Sequence, residues 1–246
     1  MPDQPHLEEQ LLSQAIAAGL SSQLDEAETM SVDIHTDVAK AVQGKADGIA
    51  ISGQGMAMGD IRVQDLEVQT DRIAINPLSI LLGKLELSHP IDATATLTLT
   101  EADLNRAMNS PMVAERIPPL LLNVDGTIVP VELQLPLEVK LPAAGRIALG
   151  GKAVLFEPAG PRQTEFDVMI VPHSDHQPVR LEAFQCQPGQ GLSLEFTIAL
   201  MQKFQELLQL PYLEIEGMAV RVKRLEVQPG QLTLETETYI PQIPSL

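Results

Sequence analysis

One pattern occurs twice in this chain and restricts its fold more than any other feature. Near the start the sequence runs GMAMGDIRVQDLEVQTDRIAIN (55–76), and near the end GMAVRVKRLEVQPGQLTLE (217–235). With Val63 set on Val222, Leu66-Glu67-Val68-Gln69 falls on Leu225-Glu226-Val227-Gln228. Both copies change face at the same place. The first has Ile61 and Val63, then Leu66 and Val68; the second has Val220 and Val222, then Leu225 and Val227. Side chains of a flat strand alternate with period two. A shift of parity therefore needs a bulge, a sharp coil, or a strand whose two ends bury opposite faces. Two halves that bend at the same point imply a duplicated, strongly curved antiparallel sheet, and such a sheet can enclose an apolar cavity.

The rest of the chain adds helices to that sheet. Leu7, Leu11, Leu12, Ala15, Ile16 and Leu20 recur at helical spacing and predict an amphipathic helix over 6–21. Val32, Ile34 and Val38 alternate with polar residues, and Ile49, Ile51, Gly53 and Gly55 share one parity. Asn76-Pro77 starts a short helical turn that Gly83 ends. Ile91, Ala93, Ala95, Leu97 and Leu99 form one face of a strand, with three threonines opposite. Thr100 and Asp103 read as a capping box opening a helix through Met108, with Ala102, Leu104, Ala107 and Met108 as its apolar residues. The longest alternation covers 129–141, and Pro130 and Pro136 make it an edge strand or an interrupted one. Strands fit 146–156, 165–171 and 179–187. A short strand follows, then a second long helix with Leu200, Phe204, Leu207 and Leu208 on its face. A hairpin turning at Pro229-Gly230 closes the chain. No Gly/Ser linker divides the sequence, so 1–246 reads as a single α+β, β-dominant domain. Its curved antiparallel sheet is expected to wrap around two or three helices in two related halves.

Composition narrows the function. The net charge is −17, which repels phosphate backbones and excludes nucleic-acid binding as an expectation. Aromatics are 3% of the chain, so an aliphatic interior must serve either as a plain core or as a lining for alkyl chains. Cys186 is the only cysteine, which leaves no disulfide within the chain. The start, MPDQPHLEEQ, has no basic n-region, and no run of apolar residues is long enough to span a bilayer. The expectation is a cytoplasmic or membrane-peripheral protein.

Chemistry is sparse. His173-Ser174-Asp175-His176 lies between prolines and reads as a solvated turn. Gly53-Gln54-Gly55 lacks a third glycine and a following helix. No catalytic residue, metal site or cofactor is expected. Arg221, Lys223 and Arg224 are the densest basic cluster, either a head-group phosphate site or a salt-bridged strand face. The apolar runs 78–82 and 117–122 either form the core, edge a cavity or dip into a bilayer.

Several segments together resemble the LmeA-like phospholipid-binding family. They are residues 9–20, ISGQGM (51–56), LEVQT (66–70), IAINPLSILL (73–82), LTLTEADLNRAMN (97–109), NVDG (123–126) and 213–236. The stretch 128–190 matches more loosely. The resemblance implies a fold like the tubular lipid-binding proteins related to bactericidal/permeability-increasing protein. There a coiled sheet wraps helices around an apolar groove. It also implies phospholipid binding, transfer or presentation without catalysis, but gives no binding-residue motif. The envelope member of that family carries an export segment that this chain does not show. On this reading the partner is a phospholipid or other acyl lipid, with transient membrane contact. Leu11, Leu12, Ile16, Leu200, Phe204, Leu207 and Leu208 are the candidate lining. The alternative is a structural or interaction domain with a filled core. The oligomeric state is open.

Overall fold

A computed structural model describes residues 13–14, 17, 21, 24–37, 39–40, 43–74, 87–111, 119–172, 180–186, 196–200, 202–203, 213–215 and 218–241. Alternation produces β1 (Thr29–His35), where Val32 and Ile34 are buried between exposed polar neighbours. The strands β2 (Lys45–Ala46), β3 (Gly48–Met58), β4 (Ile61–Thr70), β5 (Ile73–Ala74) and β6 (Ile91–Thr100) follow. Helix α1 (Glu101–Met108) precedes β7 (Leu120–Val124), β8 (Thr127–Ala143), β9 (Arg146–Glu157), β10 (Gly160–Val171) and β11 (Arg180–Cys186). Strands β12 (Leu213–Ile215), β13 (Met218–Gln228) and β14 (Gln231–Ile240) complete the order. The fold is β-dominant and antiparallel. A seven-stranded sheet has the order β1-β3-β4-β6-β14-β13-β12, a five-stranded sheet β11-β10-β9-β8-β7, and β2 pairs with β5.

The chain divides into two units, residues 1–98, 211–224 and 233–246 in the first and 99–210 and 225–232 in the second. In the first unit Val32, Ile34, Met56, Ala57, Ile91 and Ala93 are buried. Ser13 Oγ accepts from the Ile34 N–H at 3.3 Å, so the helical N-terminal residues reach a strand backbone. Gly55 sits at φ +58°, where a Cβ would fall 2.5 Å from the Glu28 carboxylate. That is a left-handed conformation costly for any other residue.

The twofold pattern occupies two different settings. In the first copy residues 55–58 end β3, and Gly59-Asp60 turn the chain into β4. In the second, Met218, Ala219 and Val220 lie in the same strand as Val222. The two LEVQ segments do face alike, with Leu and Val turned inward and Glu and Gln exposed. The switch at Val63/Leu66 involves no bulge. The β3–β4 register runs from Met58↔Ile61 to Ile49↔Thr70 without a shift, and residues 61–66 are all half-buried. In β13 the residues before the switch, 221–224, are exposed, and the chain passes between units at Arg224/Leu225.

In the second unit Leu122, Val129, Val131, Leu137, Ala153, Leu155, Phe166 and Val168 make the core with Phe196, Ala199 and Leu200. The capping box of α1 forms as the sequence predicts. Thr100 Oγ1 accepts from the Asp103 N–H (3.1 Å), and Asp103 Oδ2 accepts from the Thr100 N–H (2.9 Å). Its apolar face is less regular, since Ala102 is exposed while Met108 packs on the core.

Strand β8 is both interrupted and, over part of its length, an edge. Against β9 its register jumps between Gln134↔Lys152 and Glu138↔Gly150, and Pro136 lies in the gap. Against β7 it pairs only from Thr127 to Val131. Beyond that, α1 covers the bare edge with side chains one turn apart. Asn109 Oδ1 accepts from Leu137 N–H (2.7 Å) while its Nδ2 donates to Leu137 O (2.8 Å). Asn105 does the same at Val139 (2.8 and 2.7 Å), and Glu101 Oε2 accepts from Leu141 N–H (2.7 Å). A primary amide presents one donor and one acceptor side by side, as a strand peptide does.

Candidate functional site: an apolar cleft in the second unit

The inward positions of four strands and a helical segment converge on one cleft. Leu120 comes from β7, Val131 and Leu133 from β8, and Leu149, Ala153 and Leu155 from β9. Thr164, Phe166 and Val168 come from β10, and Phe196 and Leu200 from the helical residues 196–200. The register explains the grouping. Val168 faces Leu149, Phe166 faces Gly151 and Thr164 faces Ala153, so one parity of each strand builds one wall. Gly151 makes room there, because a Cβ would lie 2.6 Å from Leu137 Cδ2. The Thr164 hydroxyl donates to the Glu165 carbonyl (3.3 Å), and the cleft wall exposes apolar atoms only.

The interior of the cleft is narrow, about 50 Å³. A wall that exposes no donor, acceptor or charge offers nothing to a polar group and favours hydrocarbon by the hydrophobic effect. Thr164 supplies its one hydroxyl, and none of its lining residues is an acid or a base. Among the described residues no group of three His, Cys, Asp or Glu is placed to hold a metal ion.

Leu200, named from the sequence, lines this cleft. Leu11, Leu12, Ile16, Phe204, Leu207 and Leu208 lie outside the described residues, as do His173, His176, Val38 and the run 78–82. Phe196 was missed, although it stands one helical turn before Leu200, and the i, i+4 spacing was the signal. The strand residues of the wall were legible as alternation but not as a wall, because facing depends on which strands pair. Of the run 117–122, Leu122 is buried, Leu120 lines the cleft and Leu121 is exposed.

The basic cluster is engaged with β14. Lys223 Nζ lies 2.6 Å from Glu237 Oε1 and Arg224 NH1 lies 3.7 Å from Glu235 Oε1. The Lys223 hydrogen bond holds the Glu237 carboxyl below its ordinary pKa, with Arg221 adding to the effect through its charge. Lys223 and Arg224 are exposed and the two glutamates half-exposed, so the pairs are screened by solvent.

The second unit is thus an antiparallel β fold with an apolar-walled cleft. A family model described as LmeA-like phospholipid-binding matches residues 6–237, and the chain belongs to that family. No curated protein and no solved structure matches it. Among the described residues no helix is long and apolar enough to cross a membrane.

Proposed function

We propose that this protein binds phospholipid by its acyl chains, without catalysis, and carries or presents the lipid. The observation behind the reading is the cleft in the second unit, whose wall is wholly apolar, in a chain of a phospholipid-binding family. Its interior volume, about 50 Å³, is well below the roughly 300–1,000 Å³ common for ligand pockets, so a chain can enter only as the wall gives way. Each methylene withdrawn from water contributes about 0.8 kcal/mol, so eight supply roughly 6 kcal/mol before ordering costs. The narrow interior, about 50 Å³, requires Phe196 and Leu200 to yield as a chain enters. A helical segment is better suited to that movement than the paired strands opposite. The wider reading is one functional domain over the whole chain, a sheet curved around its helices in two related halves, at a cytoplasmic or membrane-peripheral location. In it Leu11, Leu12, Ile16, Phe204, Leu207 and Leu208 are further candidate contacts. A head-group phosphate reaching Arg221, Lys223 and Arg224 competes with Glu235 and Glu237.

The test is native mass spectrometry of protein purified from cells, with uptake of a phospholipid bearing a fluorescent acyl chain. Lipid should be bound in stoichiometric amount, and Ala153→Phe, which fills the cleft, should lower uptake at least tenfold. Lipid-free protein that takes up none of the probe would sink the reading. A second reading, an interaction domain with a filled core, draws on the small interior of the cleft, and that same negative result is what it expects.

A further inference from the structure

The solvent face of the five-stranded sheet changes character along its length. In its middle it is polar, as an antiparallel face turned to water should be. Gln163 donates to Gln134 (2.7 Å) and Lys152 pairs with Glu165 (3.3 Å). At the end bearing the turns 125–126 and 158–159 it is mostly apolar, with Asn123, opposite Ile128, as a polar member. Leu121 stands opposite Pro130 across β7–β8, and Phe156 opposite Pro161 across β9–β10. Val131↔Leu155 places Pro130 beside Phe156 one residue further on. Ile128 follows Pro130 on the same face of β8. Directly opposed residues sit about 5 Å apart, so these side chains form one continuous row. Leu121, Ile128 and Phe156 are 54%, 56% and 41% exposed, which marks them as surface groups and not as the margin of a core. Their chain neighbours Leu122, Val129 and Leu155 are at most 4% exposed on the other side. The reverse face of the same strands carries Leu120, Val131 and Leu155 of the cleft wall, with the Arg162–Glu157 ion pair beyond Leu155.

We propose that this row docks on a zwitterionic phospholipid bilayer. The inference rests on the lipid-binding reading and adds the surface that meets the membrane. Charge chooses the occupant. The row carries no cation, the adjacent Arg162 is held by Glu157 (2.7 Å), and the chain as a whole is at −17. Anionic lipid is repelled by such a protein, whereas a neutral bilayer interface accepts aliphatic and aromatic side chains without needing basic residues.

The experiment is flotation of the full chain with vesicles of phosphatidylcholine alone and with added phosphatidylglycerol. It compares wild type with Leu121→Thr/Ile128→Thr/Phe156→Thr, which keeps residues suited to strands. A parallel arm measures binding of a monomeric short-chain phosphatidylcholine. Wild type should float with phosphatidylcholine, less so with phosphatidylglycerol, and the triple variant should bind vesicles roughly tenfold more weakly or worse. Both should bind the monomeric lipid equally and give the same circular dichroism. Wild type that binds the monomer but not the vesicles overturns the docking surface and leaves lipid binding standing. No binding of the monomer removes the underlying reading instead. Stronger binding to phosphatidylglycerol, or a wild-type dimer that the variant converts to monomer, also overturns the proposal.

Discussion

Replacing Asn105 by alanine isolates the device that closes the β8 edge. The side chain satisfies the N–H and the C=O of Val139, at 2.8 and 2.7 Å, and also donates to the Glu101 carbonyl at 2.8 Å. Val139 is buried, so water does not readily replace the lost partner. Each orphaned buried group costs about 1–3 kcal/mol, which puts the two Val139 groups at about 2–6 kcal/mol. Alanine returns about 0.5 kcal/mol in helix propensity. The expected loss is therefore about 2–5 kcal/mol, or a fall in Tm of roughly 5–15 °C for a chain of this size. Urea unfolding followed by circular dichroism measures the loss, and hydrogen exchange on peptides covering 137–141 locates it. Glu101→Gln keeps an acceptor for the Leu141 N–H and should cost much less than Asn105→Ala. A loss below about 0.5 kcal/mol, with unchanged exchange at Val139, would refute the reasoning that these amides act as a strand partner.

Three further outcomes follow from individual residues. Leu155→Ala, at a side chain 1% exposed in the cleft wall, should destabilise by about 2–5 kcal/mol in the same urea assay. Gly55→Ala should cost about 1–2 kcal/mol in thermal unfolding, because φ is +58° and the added methyl meets Glu28. Hydrogen bonds from Arg162 hold the Glu157 carboxyl below its ordinary pKa. A depressed carboxylate contributes stability above its unfolded pKa and loses it as pH falls through the folded one. Arg162→Leu should thus return Glu157 to ordinary titration, read by carbon-detected NMR, and flatten the acid limb by at most about 1 kcal/mol.

What could be read before folding was whatever depends on neighbours along the chain. Thr100 and Asp103 are three residues apart and can meet only at a helix start, so the capping box forms where it was expected. Strands 146–156 and 165–171 were legible from alternation, although β10 begins earlier, at Gly160, because it follows β9 through their shared turn. The prolines of 129–141 announced a break or an edge, and both occur. What they could not announce was the partner. Asn105 looks unfavourable inside a helix until β8 is seen beside it, and Asn109 reads as an ordinary C-cap. Their spacing from Glu101, one turn each, was the available sign.

The chain by itself determined a β-dominant antiparallel fold, an aliphatic interior and an acidic net charge of −17. Each of these follows from local pattern or from composition. Tertiary structure alone decided that Leu120, Leu133, Leu149, Phe166 and Leu200 share one cleft, and that Lys223 and Arg224 face carboxylates on β14. Strand register sets these neighbourhoods. It couples residues tens of positions apart, and moving it by one residue would turn every side chain of the strand to the other face.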